Sequence, residues 1–318
     1  LRYFLQRLLH FAIVFIIVTF VVMMATRIGS KDPARDLAGG TVQQELVDEV
    51  RERYHLDQAL PIQYVYWLKD LVTLDLGYSY AQNQPVWDMF QQRFPPTLFI
   101  AFWAITMGLA MAIPWGVYGA YKRDSWHEKG SSAVSFAFLS APPLVVAVFL
   151  LYFIAVRFEF FPVDSNYVAP WDSPVEHFKN FFLPALTLAI GTGAVWSRFL
   201  RADMVMTLQS DFIMLARAKG LSPRRILWRH ALRASVLSLI TSVALQMSAL
   251  IGGAVVAEQF FAMPGIGDRL VFAVQGNDLL TLQAITAAIV IFVVIINLVV
   301  DLLYAVIDPR IRHARALG

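Results

Sequence analysis

The chain has 318 residues, of which 58% are hydrophobic and only 15% charged, and its mean hydropathy is +0.58. This is too apolar for a water-soluble domain and fits a protein that crosses a membrane several times. The isoelectric point near 9.1 would suit a nucleic-acid binder, but the basic residues are segregated between apolar runs, which favours membrane topology; the lack of cysteine excludes disulfides, thiol chemistry and Cys-ligated metal.

Because the chain opens on Leu1, an initiator methionine is expected to be missing or removed. Arg2 and Arg7 precede a charge-free run at 8–26 that is long enough to span a bilayer. A signal peptide would have a shorter apolar core and a small-x-small cleavage site after it, so this run reads as a first span. Residues 27–96 form the longest polar interval. They predict an acidic amphipathic helix over 42–54, a second helix over 62–71 and a turn at 73–77, with no nucleophile–base pair.

Five further spans are predicted. Residues 97–121 carry Pro114 as a kink. A short loop at 122–129 holds three basic residues, and 130–156 is a span broken by Pro142-Pro143. Such a break needs protein or a water-filled cavity to satisfy the freed carbonyls, which leaves a packing contact and a pathway-lining role equally open. An aromatic, polar loop at 157–180 leads to the fourth span, 181–197, where Gly191 and Gly193 permit close helix approach. The fifth and sixth spans are 234–257 and 279–307, separated by a turn at Pro264-Gly-Ile-Gly267 and an amphipathic helix.

Between the fourth and fifth spans lies the interval 211–233. Phe212, Leu215, Ala216 and Lys219 recur at helical spacing, and Gly220 can take the left-handed conformation of a helix C-terminus. Ser222 can cap a second short helix with Pro223 at its first position, and that helix carries Arg224, Arg225 and Arg229. Taken alone, this basic hairpin fits a docking device and a lipid-surface anchor equally well. A DNA-reading helix-turn-helix is disfavoured, because the flanking spans would hold it against the bilayer.

The charge pattern sets an orientation. Sixteen of the 26 Lys/Arg fall in the N-terminus, 122–129, 198–233 and the tail, although these segments are together the shorter set; 17 of the 23 acidic residues fall in the other loops. By the positive-inside rule both termini are cytoplasmic. No GxxxxGK[ST] loop is present, so the chain is not expected to hydrolyse ATP. Asp301 is the one acidic residue inside a predicted span and reads as a helix-end aspartate followed by Tyr304 and the DPRIRHAR tail. Gln246 and Asn297 can hydrogen-bond across helices. The histidines show no metal-ligand pairing, and His230 among arginines is a poor ligand.

The run ARAKGLSPRRILWRHAL resembles the cytoplasmic coupling motif of permease subunits of ATP-binding-cassette (ABC) importers, in the dipeptide, oligopeptide and nickel branch. Ala216, Gly220 and Leu232 match the general pattern, whereas Met214, Leu215 and Arg233 replace its glutamate, first alanine and proline. KDPA at 31–34, YHLDQALPIQYVYWL and LDLGYS resemble the extracytoplasmic region after the first span, where the family shows Gly-Asp-Pro at 31–33 and Gly-Asp-Leu-Gly from 74. FEFFPVDS resembles the turn before the fourth span. EQFFAMPGIGDR resembles the family's E-x-x-F-x-x-P-G-x-G stretch.

The resemblance implies an all-α integral membrane protein with six transmembrane helices and the type I ABC importer fold. It further implies one permease domain, 1–318, with an extracytoplasmic region at 27–96 and a coupling loop at 198–233. Leu215, Ala216, Ala218, Lys219, Gly220, Leu221, Ser222, Arg224, Arg225 and His230 would couple to ATPases, and Glu258, Phe261, Pro264, Gly265 and Gly267 would shape the outer mouth. No catalytic residue, metal or cofactor is expected in the chain, with ATP–Mg bound by partners. Those partners would be a second homologous permease, two cytoplasmic ATP-binding subunits and an extracytoplasmic solute-binding protein, in a bacterial inner membrane. The cargo would be di- or oligopeptides, with nickel, glutathione or oligosaccharide as alternatives within the family. An ion-coupled carrier and a membrane-anchored interaction protein are the competing classes.

Overall fold

A computed structural model of the chain describes residues 2–29, 32–38, 43–122 and 125–307, with side chains described except at 2–5, 7, 28–29, 127–128, 131–132 and 300–307. Lys31, the side chains of Asp301 and Tyr304, and the tail from Asp308 therefore lie outside the described residues. Five helices are long and apolar enough to cross a membrane: Leu8–Arg27, Val86–Tyr121, Pro174–Thr207, Pro223–Phe260 and Leu279–Val299. Ala133–Ser140 and Pro143–Arg157 make a sixth if the pair, bent by 101°, counts as one span. The proline pair thus folds the third apolar run sharply rather than kinking it, because Pro142 and Pro143 supply no amide hydrogens to continue the ladder. Pro114, in contrast, lies within an unbroken helix.

Contacts divide the chain into two compact units, Leu1–Thr97 with Pro264–Ile295, and Leu98–Met263 with Ile296–Gly318. In the first, α1 (Arg2–Gly29) is followed by α2 (Pro33–Leu37), α3 (Gln44–Arg53) and α4 (Leu60–Val72). Asp32 caps α2 by accepting from Ala34 N at 3.2 Å, with Pro33 at the first helical position, which gives the Asp-Pro pair a structural purpose. Tyr64 of α4 is pinned to α1 by hydrogen bonds to Thr19 (2.7 Å) and to the Ile16 carbonyl (3.2 Å). A short antiparallel ribbon, β1 (Tyr78–Ser79) with β2 (Gln84–Pro85), leads into α5 (Val86–Tyr121). The apolar core here joins Ala34, Leu37, Val47, Val50 and Val86 to Leu279, Leu280 and Ala284 of α13 (Leu279–Ile307), a long-range contact that the sequence did not announce.

The second unit contains the remainder of α5, α6 (Trp126–Ser140), α7 (Pro143–Leu150) with a π-helical extension Leu151–Arg157, and α8 (Pro174–Thr207). It continues with α9 (Asp211–Ala218), α10 (Pro223–Arg225), a π turn Ile226–Ala231 and α11 (Leu232–Phe260). The chain then passes to α12 (Ile266–Gln275) and α13 (Leu279–Ile307). α8 is the centre of the second unit. It packs against α6, α7 and α11, and buries Phe181, Leu183, Trp196, Leu200 and Met204. α5 approaches α8 closely at Gly193, where an added Cβ would lie 3.1 Å from the Gly108 carbonyl oxygen; Gly191 faces open space and plays no such part.

Gln246 and Asn297 do not form the expected cross-helix bonds among the described residues. A network around His177 holds α5 to α8 instead: Trp103 Nε1 donates to His177 Nε2 at 3.0 Å, and His177 Nδ1 lies 2.6 Å from the Val168 carbonyl. The indole can only donate, so the ring carries its proton on Nδ1 and donates a hydrogen bond from there to the Val168 carbonyl.

Candidate coupling turn and outer loop

α8 ends in a turn whose amides bond back to Met204, Met206 and Thr207, and Ser210 then opens α9 with its carbonyl accepting from Ile213 and Met214. Asp211 in the first turn and Arg217 in the last match the helix dipole. Ile213 and Ala216 are buried in the core, whereas Phe212, Met214 and Leu215 are about half exposed or more. α9 therefore exposes apolar side chains as well as burying them.

The helix stops in a Schellman motif. Leu221 N bonds to the Ala216 carbonyl at 3.3 Å and Gly220 N to Arg217 at 2.9 Å, while Leu221 packs against the core cluster that includes Ala216. Gly220 has φ +75°, and no atom lies within 4 Å of the position a Cβ would take. The glycine is needed for its backbone conformation and not for space.

Ser222 stands at the next N-cap with extended backbone, and its carbonyl accepts from Ile226 N at 3.0 Å. Its hydroxyl makes no capping bond, contrary to the expectation. Nor is there a separate second short helix: α10 runs through the π turn directly into α11, as one helix from Pro223 to Phe260. The wider i→i+5 turn lets Ile226, Leu227 and Ala231 all reach the core while Trp228 stays 47% exposed. The basic residues are thus rigidly attached to a span.

Of the residues assigned to coupling, Leu215, Ala218, Lys219, Gly220, Ser222, Arg224 and Arg225 are exposed, Leu221 and His230 are half-buried, and Ala216 is buried. α9 packs on the π turn, and the two segments expose Phe212, Leu215 and Trp228 as well as Arg217, Lys219, Arg224 and Arg225. Beside it opens a cleft of about 660 Å³, lined by Tyr121, Val205, Met214, Arg217, Leu221 and Pro223 among others.

The outer stretch behaves differently. Glu258 and Phe261 are fully buried at the end of α11, and Glu258 has interaction partners. The Phe261 carbonyl accepts from Ser165 N at 2.8 Å, and Ala262 takes φ 52° to turn the chain. Gly265 then opens α12 in extended conformation, with Ile266 N donating to Thr97 Oγ1 at 3.0 Å; Gly265 and Gly267 are buried and Pro264 half-buried. These residues shape the loop by packing and hydrogen bonding, and few of their side-chain atoms face outward.

Residues 112–313 match the model of the binding-protein-dependent transport system inner membrane component family, and residues 1–101 match the N-terminal model of the same systems. The chain belongs to this family. It is therefore a multi-pass membrane permease component of an ABC importer, a transport part and not an ATPase, and such components work with ATP-binding and solute-binding partners. Similar relatives include the "Putative peptide transport system permease protein" of Brucella abortus (strain 2308), 34% identical over 94% of this chain and 95% of that protein. Another is the glutathione transport system permease protein GsiC of Shigella flexneri serotype 5b, 32% identical over 98% and 99%. Among solved structures, an inward-facing form of the MetNI methionine ABC transporter matches with TM-score 0.58 and 16% identity, covering 69% of this chain and 96% of the other. That likeness supports the type I importer fold of the permease.

Residues such as Trp103 and His177 were not singled out from sequence, since a lone histidine after a proline carries no spacing signal. Arg27 was visible only as the first charge after an apolar run.

Proposed function

We propose that the permease forms one half of a translocation path for di- or oligopeptides, paired with a second homologous permease across a pseudo-two-fold axis. Two cytoplasmic subunits bind ATP–Mg and hydrolyse it, and an extracytoplasmic protein delivers the solute. In this reading 1–318 is one permease domain in the bacterial inner membrane with both termini cytoplasmic; 198–233 couples to the ATPases, and 27–96 with the 258–278 loop faces the binding protein. Parts of the second to fifth spans line the path. Names of relatives support peptide cargo, with glutathione as the nearest alternative.

The observation that carries the coupling assignment is the Gly220 turn: it joins α9, with exposed Phe212 and Leu215, to a helix that carries exposed Trp228, Arg224 and Arg225 and continues into a span. Apolar exposure rimmed by charge is the composition of a protein-docking face, and the Schellman turn fixes its shape. The segregation of Lys/Arg supports its placement in the cytoplasm.

The test is co-purification and uptake. Permease expressed together with candidate ATP-binding, second-permease and solute-binding partners should retain an ATPase subunit, and labelled dipeptide uptake should stop on ATP depletion and persist with an ionophore. Uptake that survives ATP depletion and collapses with ionophore would reassign the chain to ion-coupled transport. Uptake of labelled glutathione, with none of labelled dipeptide, would move the cargo to glutathione.

A further inference from the structure

In the unit that contains α1, a cavity of about 240 Å³ lies where the end of α1 and the start of α13 adjoin α4. Its wall holds Arg27, Gln63, Gln283 and the aromatic rings of Tyr66 and Trp67. Arg27 is 9% exposed, Gln63 6% and Gln283 3%. Among the described residues, Arg27 Nε and Nη1 have no acceptor, and the side-chain oxygens of Gln63 and Gln283 have no donor. The amide orientation of Gln63 is fixed, because its nitrogen donates to the Leu56 and Gln58 carbonyls at 3.3 and 2.8 Å. Gln283 nitrogen likewise donates to Thr26 Oγ1 at 3.2 Å.

Water could fill such a space and satisfy the amides, but it cannot neutralise a buried guanidinium. No carboxylate does so either. The wall carries Asp70 and Asp75 against Arg27, Arg53 and Lys69, and Arg27 has no ion-pair partner among the described residues. What the cavity lacks is one anionic group for Arg27 and donor hydrogens for two amide oxygens.

Position decides between a soluble anion and a lipid. Arg27 closes the apolar run Leu8–Arg27, and Gln283 stands in the first turns of the apolar run Leu279–Val299, so the cavity sits at the level where two spans leave the hydrocarbon. α4 beside it exposes Ile62, Val65 and Val72, which suits acyl chains, and Tyr66 and Trp67 are residue types that gather at headgroup depth. We propose that this cavity is a phospholipid headgroup site, in which the phosphodiester rests on Arg27 and headgroup N–H or O–H groups donate to Gln63 and Gln283. Arg27 suits a phosphodiester because its fork offers two parallel donors.

The test uses the full-length permease, purified in detergent and stripped of lipid, then titrated with phosphatidylethanolamine, phosphatidylglycerol, phosphatidylcholine, diacylglycerol or inorganic phosphate. Native mass spectrometry counts bound lipid, and Tm is followed in parallel. One phosphatidylethanolamine or phosphatidylglycerol per chain should be retained with a rise in Tm. Phosphatidylcholine, whose quaternary ammonium has no N–H, should bind more weakly, and diacylglycerol should not bind. Arg27→Met should fold, since it removes an unpaired charge, and should lose about tenfold or more in retention, as expected for a charged hydrogen bond. Arg27→Lys should fall between the two. Equal retention by Arg27→Met and the parent, or by diacylglycerol and phospholipid, would overturn the proposal. Should Arg27→Met not fold, the Arg27→Lys and diacylglycerol comparisons decide. A Tm rise with inorganic phosphate equal to that with lipid would overturn the lipid assignment in favour of a free anion.

Discussion

Gly108 of α5 and Trp196 of α8 are packed so closely that a Cβ on the glycine would lie 2.6 Å from the indole Cζ3. Trp196 is fully buried in the core of its unit, so the ring has no free space to yield into. Gly108→Ala is therefore expected to destabilise the permease by about 1–3 kcal/mol, the usual range for overpacking. Thermal unfolding in detergent measures it. Trp196→Phe should recover part of the loss in the double variant, since the two positions share one contact; additive losses would sever the link.

Leu74 holds φ 60°, a left-handed conformation in which a Cβ is strained. Its side chain is 58% exposed, so little packing is at stake. Leu74→Gly should stabilise the permease by about 1 kcal/mol, the cost of left-handed backbone for an L-residue less the entropy of an added glycine. An unchanged or lowered Tm would show that the left-handed backbone at Leu74 carries no net strain.

Gly220→Val tests the coupling turn. Valine at φ +75° is strained by about 1–3 kcal/mol, and the spans are stabilised elsewhere. The variant should insert normally but lose ATPase co-purification and uptake. A lipid-anchoring role predicts the opposite pattern: a mild Gly220→Val and disturbed insertion when Arg224, Arg225 and Arg229 are replaced together. Normal uptake by well-inserted Gly220→Val would end the coupling assignment.

Burial pushes the Asp70 carboxyl up from its ordinary value, and Asp75 adds to the push, against Lys69, His55 and Arg53. A carboxyl raised in the folded state binds its proton more tightly there than in the unfolded chain. Asp70 thus opposes folding at neutral pH, and the penalty fades as pH falls through the folded value toward the unfolded one, about 4. Asp70→Asn should raise Tm at pH 7, with the gap to the parent narrowing as the solution is acidified. A gap independent of pH would assign the gain to something other than this ionisation.

By itself the sequence determined the membrane class, the apolar runs and the Gly220 turn, because these follow from local chemistry: span length, charge segregation and a glycine between two helical patterns. The Pro142-Pro143 break was legible for the same reason, though not its 101° bend, which depends on what the two arms pack against. Other features were decided only by the tertiary structure. Helix α10 merges with α11 because Ile226, Leu227 and Ala231 find a core to enter, so the helix that starts after Ser222 runs on into the span. The joining of Leu1–Thr97 to Pro264–Ile295, the Trp103–His177 tie and the polar cavity at Arg27 all pair residues far apart in the chain. No local pattern encodes such pairings, since burial and partner geometry exist only once the helices have packed.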